Sequence, residues 1–325
     1  MEPEERLARI DVEAAPRRIA GAVRRTPLER FDAGDPRVEL RLKLECLQET
    51  GSFKARGAWN NVAQLAPEER RAGVIATSSG NHGKALAWAA RRAEVPATIV
   101  MPADAYPNKV QACRDEGAEV VLAPTRAEAE QICAERVAAG QILIHPYDAE
   151  RTVAGAGTAA LEVAEEWPGV EVLVVPVGGG GLISGSALAV KRRLGPRVFV
   201  LGVEPAGAAT LTAGLAAGRS VTLGEITSAV QGLCPMNAGA LNVAIAMRFV
   251  DRVVTVEDEE VFDAQRVLVR AGHVVEPAGA AAFAAVRSRR LPSELQEGRS
   301  ASAPLRVAAL VSGGNPDPAQ LARIR

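Results

Sequence analysis

The sequence is poor in aromatic residues, lysine, histidine and cysteine, and these shortages narrow the classes of protein that it can encode. Aromatic residues make up 3% of the 325 residues, so the hydrophobic fraction of 48% comes mostly from Ala, Val and Leu. The net charge is −1, from 38 basic and 39 acidic residues without a long basic run, which argues against nucleic acid as a partner. No uncharged apolar stretch is long enough to cross a bilayer, so no membrane partner is expected.

The four cysteines are scattered without a CxxC pair, and the three histidines lie apart from them in the sequence. This spacing argues against a zinc site and is typical of reduced core thiols, which indicate a reducing compartment. The N-terminal residues Met-Glu-Pro-Glu-Glu are acidic and lack the apolar run of a secretory signal. These features together predict a cytoplasmic protein.

Short apolar segments alternate with helix-like segments along most of the chain, and this pattern is typical of a parallel sheet covered by helices on both faces. Two such series, 73–148 and 170–311, predict an α/β protein of two lobes, each an open and mostly parallel sheet. The stretch 205–224 is predicted to be a loop-rich connection. Strands are predicted at 38–44, 73–77, 97–101, 118–122, 141–144, 171–177, 197–203, 250–256 and 305–311, and helices at 5–24, 81–93, 107–116, 126–138, 155–167, 182–193, 258–271 and 277–289.

Four consecutive glycines, Gly178, Gly179, Gly180 and Gly181, follow a predicted strand and open a predicted helix, and we call them the glycine loop. Their N–H groups can turn toward one anion, and the helix N-terminus adds a favourable partial charge. The loop contains no lysine, so it is not a P-loop that hydrolyses nucleotides. Glu204 lies about where an acidic residue would bind the ribose of a dinucleotide. The dinucleotide-binding motif GxGxxG, however, is not matched in any register of the glycine loop. The loop is therefore predicted to bind a single phosphate and not a pyrophosphate. A tight turn without a ligand is the minority alternative.

Lysine accounts for only five of the 38 basic residues, and a lysine can do what an arginine cannot, which is to form a Schiff base with an aldehyde. Lys43 lies in a predicted strand and should face solvent or a sheet edge. Lys109 and Lys191 lie among polar helix residues and are predicted to be surface charges.

Lys54 stands out because it follows a turn and Phe53 and lies at a predicted helix start. The helix dipole and burial would both favour its neutral amine, the form that attacks an aldehyde. Lys84, just after the turn at 78–83, is the competing candidate.

Four motifs carry the strongest signal, and two weaker ones accompany them. The four are Gly51-Ser52-Phe53-Lys54, Ser78-Ser79-Gly80-Asn81-His82-Gly83, the glycine loop and Ser312-Gly313-Gly314-Asn315; the two are Arg24-Arg25-Thr26-Pro27-Leu28 and Glu276-Pro277-Ala278-Gly279. In this order and at these distances, they resemble the threonine/serine dehydratase and serine racemase family. That family uses pyridoxal 5'-phosphate and has the tryptophan-synthase β-like fold, fold type II. The resemblance implies a large cofactor-binding domain at 1–70 and 150–325, and a small domain at 71–149.

The resemblance also implies the roles of the cofactor-binding residues. Lys54 would carry pyridoxal phosphate as a Schiff base beside Phe53, and the glycine loop with the amide of Leu182 would hold its phosphate. Asn81 would contact the ring hydroxyl. Ser312 would face the pyridine nitrogen, and its neutral hydroxyl would favour loss of a β-leaving group over transamination. Without the other motifs, Ser312 would be interpreted as a helix N-cap or turn serine.

The same resemblance places the substrate on the serine loop, which we define as Ser78, Ser79, Gly80 and Asn81. These residues would bind the substrate carboxylate. Ser79 would lie on the ring face opposite Lys54, although alone it would be interpreted as an N-cap. Lys54 would remove the Cα proton, and the products would be a 2-keto acid and ammonia.

Several positions depart from the family pattern. Ala156 stands where many members have glutamine, and the segment 231–235 is unusual and is a candidate to shape the substrate pocket. Glu204 and the carbonyl of Ala208 match a cation site of some relatives, but Thr210 replaces a carboxylate, so only a weak site is predicted. The chain ends soon after Ser312, so no regulatory domain and no feedback inhibition by isoleucine are expected.

The sequence leaves the reaction open among several alternatives. The leading hypothesis is a pyridoxal-phosphate-dependent ammonia-lyase that dehydrates L-serine or L-threonine. A serine racemase, in which Ser79 reprotonates the far face, and a 3-hydroxyaspartate dehydratase use the same cofactor. A nicotinamide-dependent oxidoreductase and a non-catalytic cofactor-binding protein are the remaining alternatives. The partner is expected to be a small amino acid, and the family suggests a homodimer.

Overall fold

The computed structural model describes residues 3–324. Outside the described residues lie Met1, Glu2 and Arg325. All three belong to the predicted large domain, and the first two also belong to the acidic N-terminal segment. The strands of the described chain are β1 (Leu28–Phe31), β2 (Val38–Leu44), β3 (Val74–Thr77), β4 (Ala97–Pro102), β5 (Glu119–Ala123), β6 (Ile142–Leu143), β7 (Val172–Pro176), β8 (Phe199–Pro205), β9 (Arg252–Val256) and β10 (Leu305–Val311).

The helices alternate with these strands through most of the chain. They are α1 (Pro3–Ala8), α2 (Ala15–Ile19), α3 (Lys54–Val62), α4 (Pro67–Ala72), α5 (Asn81–Arg92), α6 (Pro107–Asp115), α7 (Arg126–Ala138), α8 (Glu150–Glu166), α9 (Gly181–Leu194), α10 (Thr210–Ala217), α11 (Ala240–Phe249), α12 (Asp258–Arg270), α13 (Pro277–Arg287), α14 (Ser293–Gln296) and α15 (Pro318–Ile324). Across residues 3–324, no helix combines the length and the apolar character that a membrane span requires.

Two sheets organise the fold. The larger has six strands in the order β1-β2-β10-β7-β8-β9, all parallel except β1, which pairs antiparallel with β2. The smaller has four parallel strands in the order β5-β4-β3-β6. Two mostly parallel sheets with alternating helices confirm the predicted fold class. The strands of the smaller sheet all fall within the predicted small domain, whose boundaries stay a prediction.

The larger sheet is buried on both faces, and its strand residues alternate between two hydrophobic cores. In β7, Leu173 and Val175 face the core that also contains α8 and α9, whereas Val172 and Val174 face the core formed with α12 and α13. This two-residue alternation follows from the pleat of an extended strand. It explains why β7 is apolar throughout and not alternately apolar and polar.

Helix α8 lies between α3 and α9 and approaches both through glycines. A Cβ atom on Gly155 would lie 2.6 Å from the carbonyl oxygen of Arg56 in α3, and one on Gly157 would lie 2.5 Å from that of Gly185 in α9. Larger residues would therefore force the helices apart. Because α3 begins at Lys54 and α9 begins within the glycine loop, this packing fixes the distance between them.

Some predicted elements differ from the observed ones. The segment 5–24 forms two short helices and not one, with Pro16 at the start of the second. The segment 205–224, predicted as loop-rich, contains α10. Helix α11 was not predicted. Ala156, which stands where many family members have glutamine, is buried in one of the two cores of the larger sheet.

A cluster of buried charges links β2, α3 and α8. Arg56 is fully buried and forms ion pairs of 2.7 Å with Glu45 and 2.6 Å with Glu162. Lys43, also fully buried, pairs with Glu162 at 2.7 Å, and the Thr26 hydroxyl donates to Glu45. Burial opposes ionisation of Glu45, but Arg56, Thr26 and Lys43 together outweigh it, so the pKa of that carboxyl is lowered.

This cluster corrects the prediction that Lys43 faces solvent or a sheet edge. Strand β2 has β1 on one side and β10 on the other, so it is not an edge strand, and Glu162 of α8 covers the ammonium group. Lys191 is also less exposed than predicted, because its ammonium pairs with Asp251 at 2.7 Å and 12% of its side chain is accessible.

Replacing Arg56 by methionine should destabilise the fold by about 3–5 kcal/mol, because the carboxylates of Glu45 and Glu162 would lose their buried partner. The matched control is Arg30→Met, since Arg30 is 77% exposed in its ion pair with Glu39, and its effect should stay within about 0.5 kcal/mol. Thermal denaturation followed by circular dichroism measures both. Equal melting temperatures for the two variants would contradict the assigned role of the cluster.

Candidate functional site

The predicted site residues meet where strands of both sheets end. Ser312 follows β10, the glycine loop follows β7, and the serine loop follows β3. The backbone N–H of Phe53 donates to the carbonyl oxygen of Ser312 at 3.1 Å, which joins the turn before α3 to the end of β10. The carboxyl ends of parallel strands are where ligands bind in open α/β sheets, so this junction is the candidate site.

Lys54 is the first residue of α3 and has no acidic partner within residues 3–324. Its ammonium group donates to the carbonyl oxygen of Pro146 at 2.7 Å and lies 5.0 Å from the centre of the Phe53 ring. Burial lowers the pKa of Lys54 to about 8. The amine is therefore largely neutral in mildly alkaline solution, which is the state that a Schiff base requires.

The competing lysine, Lys84, has a different environment. Its ammonium group lies 3.4 Å from the side-chain oxygen of Asn315, and that of Lys109 donates to the Asn315 carbonyl oxygen at 2.7 Å. Lys109 is partly buried, so its prediction as a surface charge is wrong in part. Both amines contact Asn315, whereas Lys54 contacts the segment beside the glycine loop.

The glycine loop has the shape expected of an anion cradle. Gly180 has a φ of +91°, a conformation that side chains disfavour. The side chains of Thr210 and Asn242 donate to the carbonyl oxygens of Gly178 and Gly179, at 3.3 and 2.8 Å. With these carbonyl groups held, the loop's N–H groups and the start of α9 can face one anion, which fits a phosphate group.

Tyr147 packs against this loop and was not identified from the sequence. A Cβ atom on Gly179 would overlap its ring, and one on Gly181 would lie 3.0 Å from its backbone. Burial raises the pKa of its phenol. Tyr147 follows Pro146, whose carbonyl group accepts from Lys54, so one short segment joins the lysine to the glycine loop. No sequence motif marked this aromatic residue.

The two serines of the serine loop differ in their hydrogen bonds. The Ser78 hydroxyl accepts from the N–H groups of Gly80 and Gly83, at 3.3 and 3.1 Å, and so stabilises the turn into α5. The Ser79 hydroxyl has no hydrogen-bond partner in the described part of the chain. Gly80 is the N-cap residue of α5, so the N-cap interpretation of Ser79 is wrong, and Ser79 stays available to a ligand.

Ser312 and Asn81 adjoin a buried carboxyl group that sequence analysis did not assign to the site. Ser312 is buried, and its hydroxyl donates to the carbonyl oxygen of Ala278 at 3.3 Å. The side-chain amide of Asn81 donates to Glu276 and accepts from Asn315. Glu276 belongs to one of the two weaker motifs, which was the only signal in the sequence that could have indicated it.

Two histidines lie near Lys54, as turn and core residues. His82 is buried with its Nε2 atom 2.8 Å from the Ile144 carbonyl oxygen, and His145 Nδ1 accepts from the backbone N–H of Asp148. Burial lowers the pKa of His82 to about 3 and that of His145 to about 4. Both imidazoles are therefore neutral at neutral pH.

The segment 231–235 lies beside the glycine loop. A Cβ atom on Gly178 would lie 3.1 Å from the Gly232 carbonyl oxygen. The Gln231 amide donates to the Tyr106 hydroxyl at 2.8 Å, which connects the large-sheet side of the site to the loop before α6. This position is compatible with the predicted influence on the substrate pocket, which stays a prediction.

The weak cation candidates have other partners. The Glu204 carboxyl accepts hydrogen bonds from the N–H groups of Leu211 and Thr212, at 2.7 and 2.9 Å, and from the Thr212 hydroxyl. Burial raises the pKa of Glu204. Ala208 is fully buried. Within residues 3–324, no group of three or more His, Cys, Asp or Glu side chains is arranged to hold a metal.

Comparison with known proteins agrees with this geometry. The sequence profile of a family described as pyridoxal-phosphate dependent enzyme matches residues 19–313. The chain is 38% identical over 319 residues to L-threonine ammonia-lyase of Thermotoga maritima, covering 97% of this chain and 77% of that protein. It is 38% identical over 320 residues to phenylserine dehydratase of Ralstonia pickettii, covering 94% and 92% of the two chains.

The fold is also similar to that of a solved structure. The structure of maize serine racemase superposes with a TM-score of 0.87 at 34% identity, covering 96% of this chain and 94% of that one. The family resemblance, the fold type and the cofactor that the sequence predicted are thereby confirmed. The roles of individual site residues stay predictions.

Replacing Gly179 by alanine should prevent the glycine loop from holding a phosphate group, because the added Cβ would overlap the Tyr147 ring. The affinity for pyridoxal phosphate, measured by equilibrium dialysis, should fall at least about tenfold. Gly224→Ala is the matched control, since a Cβ there meets nothing within 4 Å. Unchanged cofactor affinity in Gly179→Ala would show that the loop is not the cradle.

Cofactor-free protein should take up pyridoxal phosphate faster as the pH rises, with a midpoint near 8, because the pKa of Lys54 is lowered to about 8. Below that pH the protonated amine cannot attack, and above it the neutral amine prevails. Stopped-flow absorbance measures the rate, and Nα-acetyl-lysine, with an ordinary pKa of about 10.4, is the reference amine.

Borohydride reduction and peptide mass mapping complete that experiment. The pyridoxyl label should lie on Lys54. A label on Lys84, or a midpoint near that of the reference amine, would refute the assignment of Lys54 as the cofactor lysine.

Proposed function

The chain belongs to the pyridoxal-phosphate dependent enzyme family, and within it we propose that this protein is an ammonia-lyase that removes water and ammonia from a small hydroxy amino acid such as L-serine or L-threonine. The observation that carries the proposal is the position of Lys54, whose amine has no acidic partner in the described chain and contacts the Pro146 carbonyl oxygen in the segment that packs on the glycine loop. Of Lys54, His82 and His145, only Lys54 has a pKa close to neutrality, at about 8. A single base of suitable pKa is what removal of one Cα proton needs.

The proposal assigns a function to each group of residues that would hold the cofactor. The glycine loop and the amide of Leu182 would bind its phosphate, Asn81 would contact its ring hydroxyl, and Phe53 would lie beside Lys54. Pyridoxal phosphate, when bound, supplies the aldehyde that captures an amino group and the electron sink that acidifies Cα. Ser312 would face the ring nitrogen with a neutral hydroxyl, which limits the sink and favours loss of a β-hydroxyl group.

The substrate would be oriented by the serine loop. Helix α5 begins at Asn81, so its N-terminus presents a positive partial charge to the substrate carboxylate. Ser78 keeps this turn rigid through its two hydrogen bonds. With the carboxylate held there, the amine of Lys54 can accept the Cα proton from the other side of the site.

A racemase is the second candidate, and one observation favours it. The Ser79 hydroxyl has no hydrogen-bond partner among the described residues, so it could return a proton to the face opposite Lys54. The similarity to maize serine racemase is compatible with this activity. A 3-hydroxyaspartate dehydratase would share the elimination chemistry, whereas the family excludes the nicotinamide-dependent alternative. The cytoplasmic location and the homodimer stay predictions from the sequence.

Purified holoenzyme should convert L-serine to pyruvate and L-threonine to 2-oxobutanoate, with one ammonia for each keto acid. A coupled lactate dehydrogenase assay measures the keto acid, and chiral chromatography measures D-serine in the same samples. Lys54→Ala should lower kcat at least about a thousandfold, because the base is removed. Lys191→Ala should retain activity, since its ammonium pairs with Asp251 away from the site.

The two candidates give opposite results in that assay. A dehydratase releases keto acid faster than D-serine accumulates, and a racemase does the reverse, with solvent deuterium appearing at Cα of recovered serine. Absence of both products with every hydroxy amino acid tested would contradict the proposed function.

A further inference from the structure

We propose that Glu276 is a positioning residue that holds the side-chain amide of Asn81 with its N–H toward the oxygen on the cofactor ring. The inference rests on the proposed function, since it assumes that Asn81 contacts that oxygen. It adds to the site a residue that acts through Asn81.

Glu276 lies directly against the end of β10. Its backbone N–H donates to the carbonyl oxygen of Gly313 at 3.1 Å, and a Cβ atom on Gly313 would overlap its carboxyl group. The residue is 7% exposed and therefore largely separated from bulk water. Burying a carboxyl group without hydrogen bonds destabilises the fold, so the side chains that donate to Glu276 are held in the orientation that keeps those hydrogen bonds.

The partners of Glu276 fix the orientation of Asn81. Asn81 Nδ2 donates to Glu276 Oε1, while Asn81 Oδ1 accepts from Asn315 Nδ2 at 2.8 Å. A flip of the Asn81 amide would place oxygen against the carboxyl oxygen and NH₂ against NH₂, so both hydrogen bonds would be lost. Asn315 cannot simply turn over as well, because its own NH₂ group also donates to the Thr50 carbonyl oxygen at 2.9 Å.

The orientation leaves one donor for the cofactor. Asn81 Nδ2 carries two hydrogens, and Glu276 uses one of them. The other has no acceptor in the described chain. A hydrogen bond from an amide to the ring oxygen stabilises the deprotonated oxygen more than the hydroxyl form. Glu276 thereby influences the proton on the ring through the orientation of Asn81.

The charges around Glu276 keep this arrangement in place. Lys109 and Lys84, from α6 and α5, contact Asn315, and both lie close enough to act on Glu276 electrostatically. Burial raises the pKa of the Glu276 carboxyl, and Lys109 and the amide of Asn81 oppose that shift. The carboxyl group thus has cationic neighbours from the small-sheet side of the site and hydrogen-bond donors from Asn81.

The visible spectrum of the bound cofactor tests the inference, because its long- and short-wavelength bands report the deprotonated and protonated ring oxygen. In Glu276→Ala the long-wavelength share should fall by at least half, and cofactor affinity should weaken about tenfold, the size expected for loss of one positioned hydrogen bond. In Glu276→Gln, the amide oxygen can still accept from Asn81, so the spectrum should return toward that of the wild type. Glu119→Ala, at an ion-paired surface glutamate, is the control and should change neither value.

Two outcomes overturn the inference. One is an unchanged spectrum in Glu276→Ala with cofactor bound, and the other is an equal loss in Glu276→Gln and Glu276→Ala. If Glu276→Ala does not fold, Asn315→Asp provides the same test, because its carboxylate would repel Asn81 Oδ1 and disfavour the observed orientation. The long-wavelength share should fall in that variant too, and an unchanged spectrum would contradict the inference.

Failure of the proposed function gives a different pattern. It would appear in the wild-type protein, as no cofactor band or no keto acid from hydroxy amino acids. A wild-type protein that binds cofactor and releases keto acid, with unchanged spectra in all Glu276 and Asn315 variants, would refute only the function of Glu276.

Discussion

The site depends on how closely α8 packs against its two neighbouring helices. Gly155 allows the backbone of α3 to approach, and Gly157 does the same for α9. The start of α3 carries Lys54, and the start of α9 forms the glycine loop. A lysine and an anion cradle far apart in sequence are therefore held at a fixed separation by backbone contact, which is stiffer than contact between long side chains.

Two cations in the same helix show how the surroundings decide the state of a buried charge. Arg56 faces Glu45 and Glu162, and their carboxylates keep it charged and paired in the interior. Lys54, two residues earlier, has only the Pro146 carbonyl oxygen, so burial dominates and lowers its pKa to about 8. The helix thus combines a structural charge with an amine that can react, because desolvation is compensated in one case and not in the other.

Much of the architecture follows from local sequence patterns, and the exceptions have specific causes. The short continuous apolar runs predicted the central strands, since a strand buried on both faces must be apolar throughout. They could not reveal that β1 covers the outer side of β2, so Lys43 was predicted to be exposed. The Gly- and Ala-rich segment that holds α10 has no clear periodicity, and in the structure the Glu204 carboxyl accepts from the N–H groups at that helix start.

By itself, the sequence determined which chemical groups are present and in what order. It supplied Lys54 after a turn, the 78–83 motif after a strand, four glycines at a helix start and a serine after the last strand, and these together indicated the family and its cofactor. Only the tertiary structure decided that Tyr147 packs on the glycine loop, that Ser78 and not Ser79 stabilises the turn, and that Glu276 orients Asn81. These relationships join residues that are distant in the chain, and a local pattern carries no information about which distant side chain will supply a partner or remove water.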